Sequence, residues 1–371
     1  MNVERFPGRA ALQQRVLPAY RTAFFDALAA ACAGGLSIFA GKPLPEEHIA
    51  TSESLRTAHY TPAKNWHFSH PGSPFYQCWQ SGLVAWLEEW QPQALIVEAN
   101  PRYASTRPAI RWMHARKRPV LGWGLGAPTL SGRLAAWREG SRSKFLCSLD
   151  GLIAYSRRGA DEYRALGIPA ERVFVASNAV APRPQQAPPE RLEGFTGRPK
   201  LLFVGRLQER KRIDNLLLAC ARLPESIQPD LWIVGDGPAL QELQALAQKV
   251  YPNAKFYGER RGPELETIFA AADLFVLPGT GGLAVQEAMS YGLPVIVAQG
   301  DGTQDDLVEE RNGWVIPPND LACLTETLKV ALNDPERLRR MGTAAYRTVL
   351  EEVNLERMVE VFVTALNAVI Q

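Results

Sequence analysis

Short apolar runs bounded by glycine, proline and asparagine alternate along this chain with stretches whose apolar positions recur every three to four residues. In the first half, runs at 35–40, 94–98, 119–124, 151–155 and 173–176 read as buried strands, and 23–31 and 159–166 as helices. In the second half, strands are predicted at 201–204, 231–234, 255–257, 273–277 and 294–297, each followed by a helical pattern. Pro238 and Pro263 stand where helices begin and Gly292 where one ends, positions that suit a missing N–H and a left-handed cap. Strand–helix alternation predicts parallel βαβ units, hence an α/β chain of two doubly wound Rossmann-like domains. Residues 179–199 are dense in proline and poor in apolar period, which reads as a linker. The expected organisation is a first domain over 1–178, the linker 179–199, a second domain over 200–353 and an amphipathic terminal helix over 354–371. Two such sheets would face across a cleft at the carboxyl ends of their strands, where open α/β sheets bind ligands.

A length of 371 residues agrees with two domains, and 46% hydrophobic with 22% charged residues is ordinary globular composition. No apolar run reaches 18 residues and the first residues lack a basic-then-apolar leader, so the expectation is cytoplasmic residence without a membrane span. Five cysteines without metal-ligand spacing read as reduced core thiols, and no metal site is expected. Residues 1–180 hold 21 Lys+Arg and 13 Asp+Glu; against totals of 41 and 39, that leaves 20 and 26 for the rest. The first half is therefore basic and the second acidic. A basic first half suits an acidic acceptor or peripheral contact with an inner membrane surface, or is simply an Arg-rich exterior. Nothing in the pattern points to nucleic acid.

Phosphate binding without a metal needs backbone N–H groups at a turn and cations within reach. Thr280-Gly281-Gly282-Leu283 follows a predicted strand and opens a helical stretch, although such glycines also serve as plain turn formers. Gly205-Arg206 ends the first strand of the second half, with Lys211 five residues on; the pair could neutralise a diphosphate, or form a solvated basic loop. Glu287 lies one helical turn past Leu283, where a carboxylate could accept two hydrogen bonds from a ribose. In the first half, Trp66, Phe68, Phe75, Tyr76 and Trp79 occupy a stretch without clear period. A satellite core beneath a long loop is the favoured reading, with an exposed stacking surface as the alternative. His67 and His70 in that stretch are the histidines expected to reach a site.

Taken in order, Val204-Gly205-Arg206-Leu207 with Lys211, Val234-Gly235-Asp236-Gly237-Pro238, Phe256 with Gly258, Ala272-Asp273-Leu274 into Pro278, Glu287-Ala288-Met289 with Gly292-Leu293-Pro294-Val295-Ile296, and Asn312-Gly313 resemble the donor-binding domain of family 4 glycosyltransferases of the GT-B fold. The first half resembles that family only in its βαβ pattern, in Tyr155-Ser156 and in 175–178. The resemblance implies a metal-independent, retaining transfer of a hexosyl group from a nucleotide diphosphate sugar, with no other cofactor. The acceptor could be a glycan, a lipid-linked saccharide or a small molecule. It places Arg206 and Lys211, beside Gly205, on the diphosphate. It places Gly281, Gly282 and Leu283 at the distal phosphate, Glu287 on the ribose, and Gly258, Glu259 and Arg260 beside the base. The terminal helix would return to the first domain.

Three positions depart from the family pattern. The carboxylate usual eight residues before Glu287 is replaced by Gly279, which leaves the donor sugar open. The Gly-rich turn after the first strand is replaced by Leu17-Pro18-Ala19-Tyr20-Arg21, so either Arg21 substitutes electrostatically or this domain contributes less to the donor. Where a histidine often nears the sugar, the chain has Trp123-Gly124-Leu125-Gly126. Tyr20, Arg21 and Trp123 thus join His67 and His70 as candidates on the acceptor or sugar side. The rival readings are a catalytically silent nucleotide-sugar-binding subunit and a GT-B nucleotide-sugar epimerase. The second suffers from the bare wall at Gly279, because epimerisation needs acid and base groups.

Overall fold

A computed structural model describes residues 5–47, 49–132, 134–281, 283–300 and 302–370. The chain divides into two compact units, one of residues 1–180 with 355–371 and the other of residues 181–354.

The first unit is built on strands β1 (Ala10–Val16), β2 (Leu36–Gly41), β3 (His59–Pro62), β6 (Ala94–Glu98), β7 (Val120–Gly124), β8 (Gly151–Ala154) and β9 (Val173–Val175), with β4 (Lys64–Phe68) and β5 (Gln77–Ser81) forming a separate hairpin. Its helices are α1 (Thr22–Ala30), α2 (Leu83–Trp90), α3 (Thr106–His114), α4 (Ala135–Leu146) and α5 (Arg157–Ala165). The seven-stranded sheet runs β3-β2-β1-β6-β7-β8-β9, parallel throughout. Its inner strands β2, β6, β7 and β8 are buried on both faces and read as largely apolar runs, as parallel strands under helices do, whereas the edge strand β3 has no buried residue.

Two parts of this unit differ from expectation. β1 is almost wholly buried although it contains Gln13, Gln14 and Arg15; its polar side chains are satisfied internally, Gln13 Nε2 donating to Gln80 Oε1. The stretch read as an aperiodic loop contains the antiparallel hairpin β4–β5, with Trp66 directly opposite Trp79. The hairpin turns Asn65, Cys78 and Gln80 inward while Trp66 (47% exposed), Phe68 (57%) and Trp79 (40%) face solvent. With Phe75 exposed as well, only Tyr76 of the five aromatics is buried, against Cys78 and Tyr103. The favoured satellite core is thereby corrected to an outward aromatic face. Among the cysteines, Cys32, Cys78 and Cys220 are buried, whereas Cys147 is exposed and Cys323 half-buried, so not all five are core thiols.

The second unit contains β10 (Lys200–Val204), β11 (Asp230–Val234), β12 (Lys255–Gly258), β13 (Leu274–Leu277), β14 (Val295–Ala298) and β15 (Gly313–Ile316). They form one parallel sheet in the order β12-β11-β10-β13-β14-β15. Its helices are α6 (Ile213–Arg222), α7 (Leu240–Val250), α8 (Pro263–Ala271), α9 (Ala284–Ser290), α10 (Leu321–Leu332) and α11 (Pro335–Glu351). Pro263 and Pro335 start α8 and α11, Asp320 and Asp334 cap α10 and α11, and Gly292 follows α9 at φ +67°. The proline-rich stretch is tied down on this unit: the Arg191 guanidinium donates to the carbonyls of Ala272 (3.0 Å), Tyr291 (2.8 Å) and Phe269 (3.2 Å).

Helix α12 (Leu355–Ile370) belongs to the first unit and packs on α1, its Phe362 ring 4.9 Å from Phe24 and 5.0 Å from Trp123. No described helix is long and apolar enough to cross a membrane.

Candidate functional site

Each sheet reverses its winding at its first strand. In the second unit β10 lies between β11 and β13, and in the first β1 lies between β2 and β6. Crevices at such reversal points, beyond the carboxyl ends of the strands, are where doubly wound sheets take ligands.

In the second unit, the chain leaves β10 through Gly205, at φ +155°, packed so closely on Gly235 that a Cβ at Gly235 would lie 2.0 Å from the Gly205 carbonyl oxygen. Arg206 follows directly, half-buried at the strand's end. A short turn over Glu209–Lys211 then buries Lys211, whose Nζ donates to the Thr280 carbonyl (2.9 Å) and to that of Gly281. The ammonium thus binds the turn that follows β13. Arg210 O accepts from Thr280 N (3.0 Å), and a Cβ at Gly279 would meet the Arg210 carbonyl oxygen at 2.2 Å and Lys211 Cα at 2.5 Å. Gly279 is therefore imposed by the Lys211 turn, which fills the space a side chain would need.

Gly281 has φ +67° and donates its N–H to Gln304 Oε1 at 3.2 Å, while Gln304 Nε2 reaches Gly279 O at 3.3 Å. Gly282 lies outside the described residues, and Leu283 stands at the start of α9. Glu287, one turn into α9, is half-buried; burial, with Glu266 as a like charge, raises its carboxyl above the usual range. Gly258 ends the edge strand β12 at φ +68°, and beyond it Glu259 pairs with Arg261 and Arg260 with Glu264 (3.4 Å). The structure thus joins Lys211 to the 279–281 turn, while Glu259 and Arg260 find partners in their own loop.

The first unit holds a cavity of about 840 Å³ at the ends of β1, β6 and β7. Its base is Arg21, which is 4% exposed. The guanidinium carbon lies 4.9 Å from the Trp123 ring centre, 5.5 Å from Tyr155 and 5.4 Å from Tyr20, and Nη1 touches Met358 Sδ at 3.9 Å. Trp123 is itself held by Phe24 and Phe362, so α12 sets the floor of the cavity. At one side Arg15 makes a two-pronged ion pair with Glu47 (2.8 and 2.7 Å), and its backbone N–H donates to Glu98 Oε1 at 2.8 Å. Burial works against the Arg15 charge, but the bonds to Glu47 outweigh it and raise its pKa. Burial raises the Glu98 carboxyl, opposed by Arg15 and by a hydrogen bond from Tyr103.

Of the five acceptor-side candidates, Tyr20, Arg21 and Trp123 line this cavity; His67 and His70 do not. His67 Nδ1 lies 2.8 Å from the Tyr76 hydroxyl on the inner side of the hairpin, and His70 accepts from Gly72 N on an exposed turn. Burial, with Arg15 nearby, lowers the His67 pKa. Sequence reasoning missed Glu98, Arg102, Arg107, Arg138 and Arg142, which also line the cavity. The available signal was Glu98 at the carboxyl end of an apolar strand beside the winding reversal. Among the described residues, no group of His, Cys, Asp and Glu could hold a metal ion.

Residues 186–348 match the family described as glycosyl transferases group 1. A sulfoquinovosyl transferase of Arabidopsis thaliana is 34% identical over 41% of this chain and 30% of its own length. A GDP-mannose-dependent alpha-mannosyltransferase of Mycolicibacterium smegmatis is 40% identical over 42% of this chain and 39% of its own. The chain therefore spans well under half the length of these curated relatives. Among solved structures, Anabaena Alr3699/HepE in complex with UDP superposes with a TM-score of 0.70 at 16% identity, covering 97% of this chain and 99% of that one. The apo lipopolysaccharide outer core galactosyltransferase WaaB gives 0.65 at 17% identity, covering 92% and 98%. The chain has the GT-B fold.

Proposed function

We propose that this chain is a family 4 glycosyltransferase that moves a hexosyl group from a nucleotide diphosphate sugar, held by the second unit, to an acceptor held by the first. The observation that carries the reading is the group 1 glycosyl transferase match over 186–348, which contains Arg206, Lys211 and Glu287. A uridine or guanosine diphosphate donor is favoured by relatives whose names specify GDP-mannose and by a fold neighbour bound to UDP-glucose.

In this reading Arg206 stabilises the negative charge that builds on the leaving diphosphate. Lys211 acts from behind, its ammonium drawing the 279–281 turn against the strand end and adding positive potential. Glu287 accepts the ribose hydroxyls. A carboxylate held at a cost by burial gains from such donors, since hydrogen bonds to the charged form replace the water it lacks. With no wall carboxylate at Gly279 to act as a nucleophile, the mechanism that the family resemblance implies is a front-face displacement with retention, the leaving phosphate taking the acceptor's proton.

The test is thermal stabilisation of the chain by UDP, GDP, ADP, TDP and their sugars, followed by turnover assays with the donor so found. Glu287→Gln is expected to abolish the nucleotide-induced shift. Arg206→Ala is expected to cut turnover by about 10²–10³, the scale for losing one preorganised stabiliser of transition-state charge. Absence of a shift with every nucleotide would sink the transferase reading, and full turnover in Arg206→Ala would remove the diphosphate assignment.

A further inference from the structure

Six arginines line the cavity of the first unit against one carboxylate, Glu98. Arg15 is neutralised by Glu47, and Arg142 lies in the field of Glu139 and Glu162. Arg21, Arg102, Arg107 and Arg138 have no carboxylate partner among the described residues. Arg21 is the most informative. It is 96% buried, by its 4% exposure, and its charge rests on three ring faces and a sulfur, none of which is a strong acceptor for its N–H groups. Arg21 also lines the cavity, so N–H groups that find no oxygen acceptor in the protein are offered to an anion there.

We propose that this cavity binds a phosphoryl group of the acceptor, with Arg21 at its floor and Arg102, Arg107 and Arg138 as further donors. The assignment of that ligand as acceptor rests on the transferase reading; the anion site does not. Four arginines on the lining without a carboxylate partner leave the cavity with an excess of positive charge that a carboxylate, with two oxygens and one charge, matches poorly. A phosphoryl group offers three oxygens and up to two charges, and arginine forks match it two bonds at a time. Tyr20, Phe75, Leu125 and Trp137, all exposed, supply apolar surface along the same cavity for the sugar ring or hydrocarbon chain that carries the phosphate.

The experiment is calorimetric titration of the full chain with octyl phosphate, a hexose phosphate and neutral octyl glucoside. At least one phosphate probe is expected to bind tenfold or more tightly than octyl glucoside. Arg107→Gln/Arg138→Gln, at exposed and half-buried positions, is expected to weaken it at least tenfold. Arg21→Lys, which keeps the charge but loses the fork, should weaken it as well. Preference for octyl phosphate assigns a lipid-borne phosphate, and preference for the hexose phosphate a soluble one. Equal affinity for charged and neutral probes, no binding by any probe, or full affinity in the double variant would each overturn the proposal. Nucleotide-induced stabilisation is read on the same samples. If it persists while the phosphate probes fail, the acceptor class falls alone; if it is absent while they bind, the anion site stands and the transferase reading falls.

Discussion

At Gly279 the difference between a missing catalytic group and a structural requirement comes down to about an ångström. A first side-chain carbon there would collide with the backbone of Arg210 and Lys211, so the carboxylate usual in the resembling family is excluded for as long as Lys211 is buried in its present turn. Gly279→Glu is therefore expected to restore nothing. Overpacking against backbone costs about 1–3 kcal/mol, and because the collision begins at Cβ, Gly279→Ala should lose nearly as much. Urea unfolding of the two variants checks this; an unchanged midpoint for Gly279→Ala would mean that the turn is free to move. The sequence showed Gly279 as a departure but could not show its cause, because the colliding atoms belong to residues 68 and 69 positions away. Arg21 was legible as a candidate for the same kind of reason that hid its setting. A cation after a strand is a local signal, whereas its ring faces come from Trp123 and Tyr155, far along the chain.

Among the elements, those buried on both faces were readable and those with a polar inner face were not. β10 and β13 announce themselves as apolar runs because helices cover both sides of their sheet. β4 and β5 invert the usual alternation, aromatic outward and Asn65, Cys78 and Gln80 inward, since Asn65 and Gln80 bond the β1 region: Asn65 Nδ2 donates to Arg15 O at 2.8 Å and Gln80 Nε2 to Gln14 O at 3.0 Å. An inward face made by hydrogen bonds leaves no hydrophobic period to read. The amphipathic period of α12 was plain, and its packing ties the helix to the cavity floor. Phe362→Ala is expected to cost the first unit about 3–5 kcal/mol, as for other buried aromatics. By loosening Trp123 it should also weaken octyl phosphate binding, although Phe362 itself does not line the cavity. Denaturant melting and calorimetry together check the pair; a full stability loss with unchanged probe affinity would separate α12 from the site.

For the whole molecule, the same topology produces two crevices of different chemistry. β10 beside β13 brings a basic strand end to a glycine turn closed by Lys211, and β1 beside β6 brings Arg15 to Glu98 in a cavity that Arg21 and four further arginines also line. The strand–helix alternation and the charge division between the halves were readable in the sequence, but β1, at which the first sheet reverses, was not. The identity of the arginine set depended on Arg102 and Arg107 of one segment and Arg138 of another lining the same cavity as Arg21. Each crevice should therefore report its own ligand. In hydrogen exchange of the full chain, UDP or GDP is expected to protect amides within 205–211 and 279–290 and leave 14–21 and 98–107 at their free rates. Octyl phosphate should do the reverse, and its protection should fade between low and high salt because exposed cations such as Arg107 are screened. Protection of 98–107 by the nucleotide alone would assign the arginine cavity to the donor. The acceptor would then have to be sought elsewhere in the first unit.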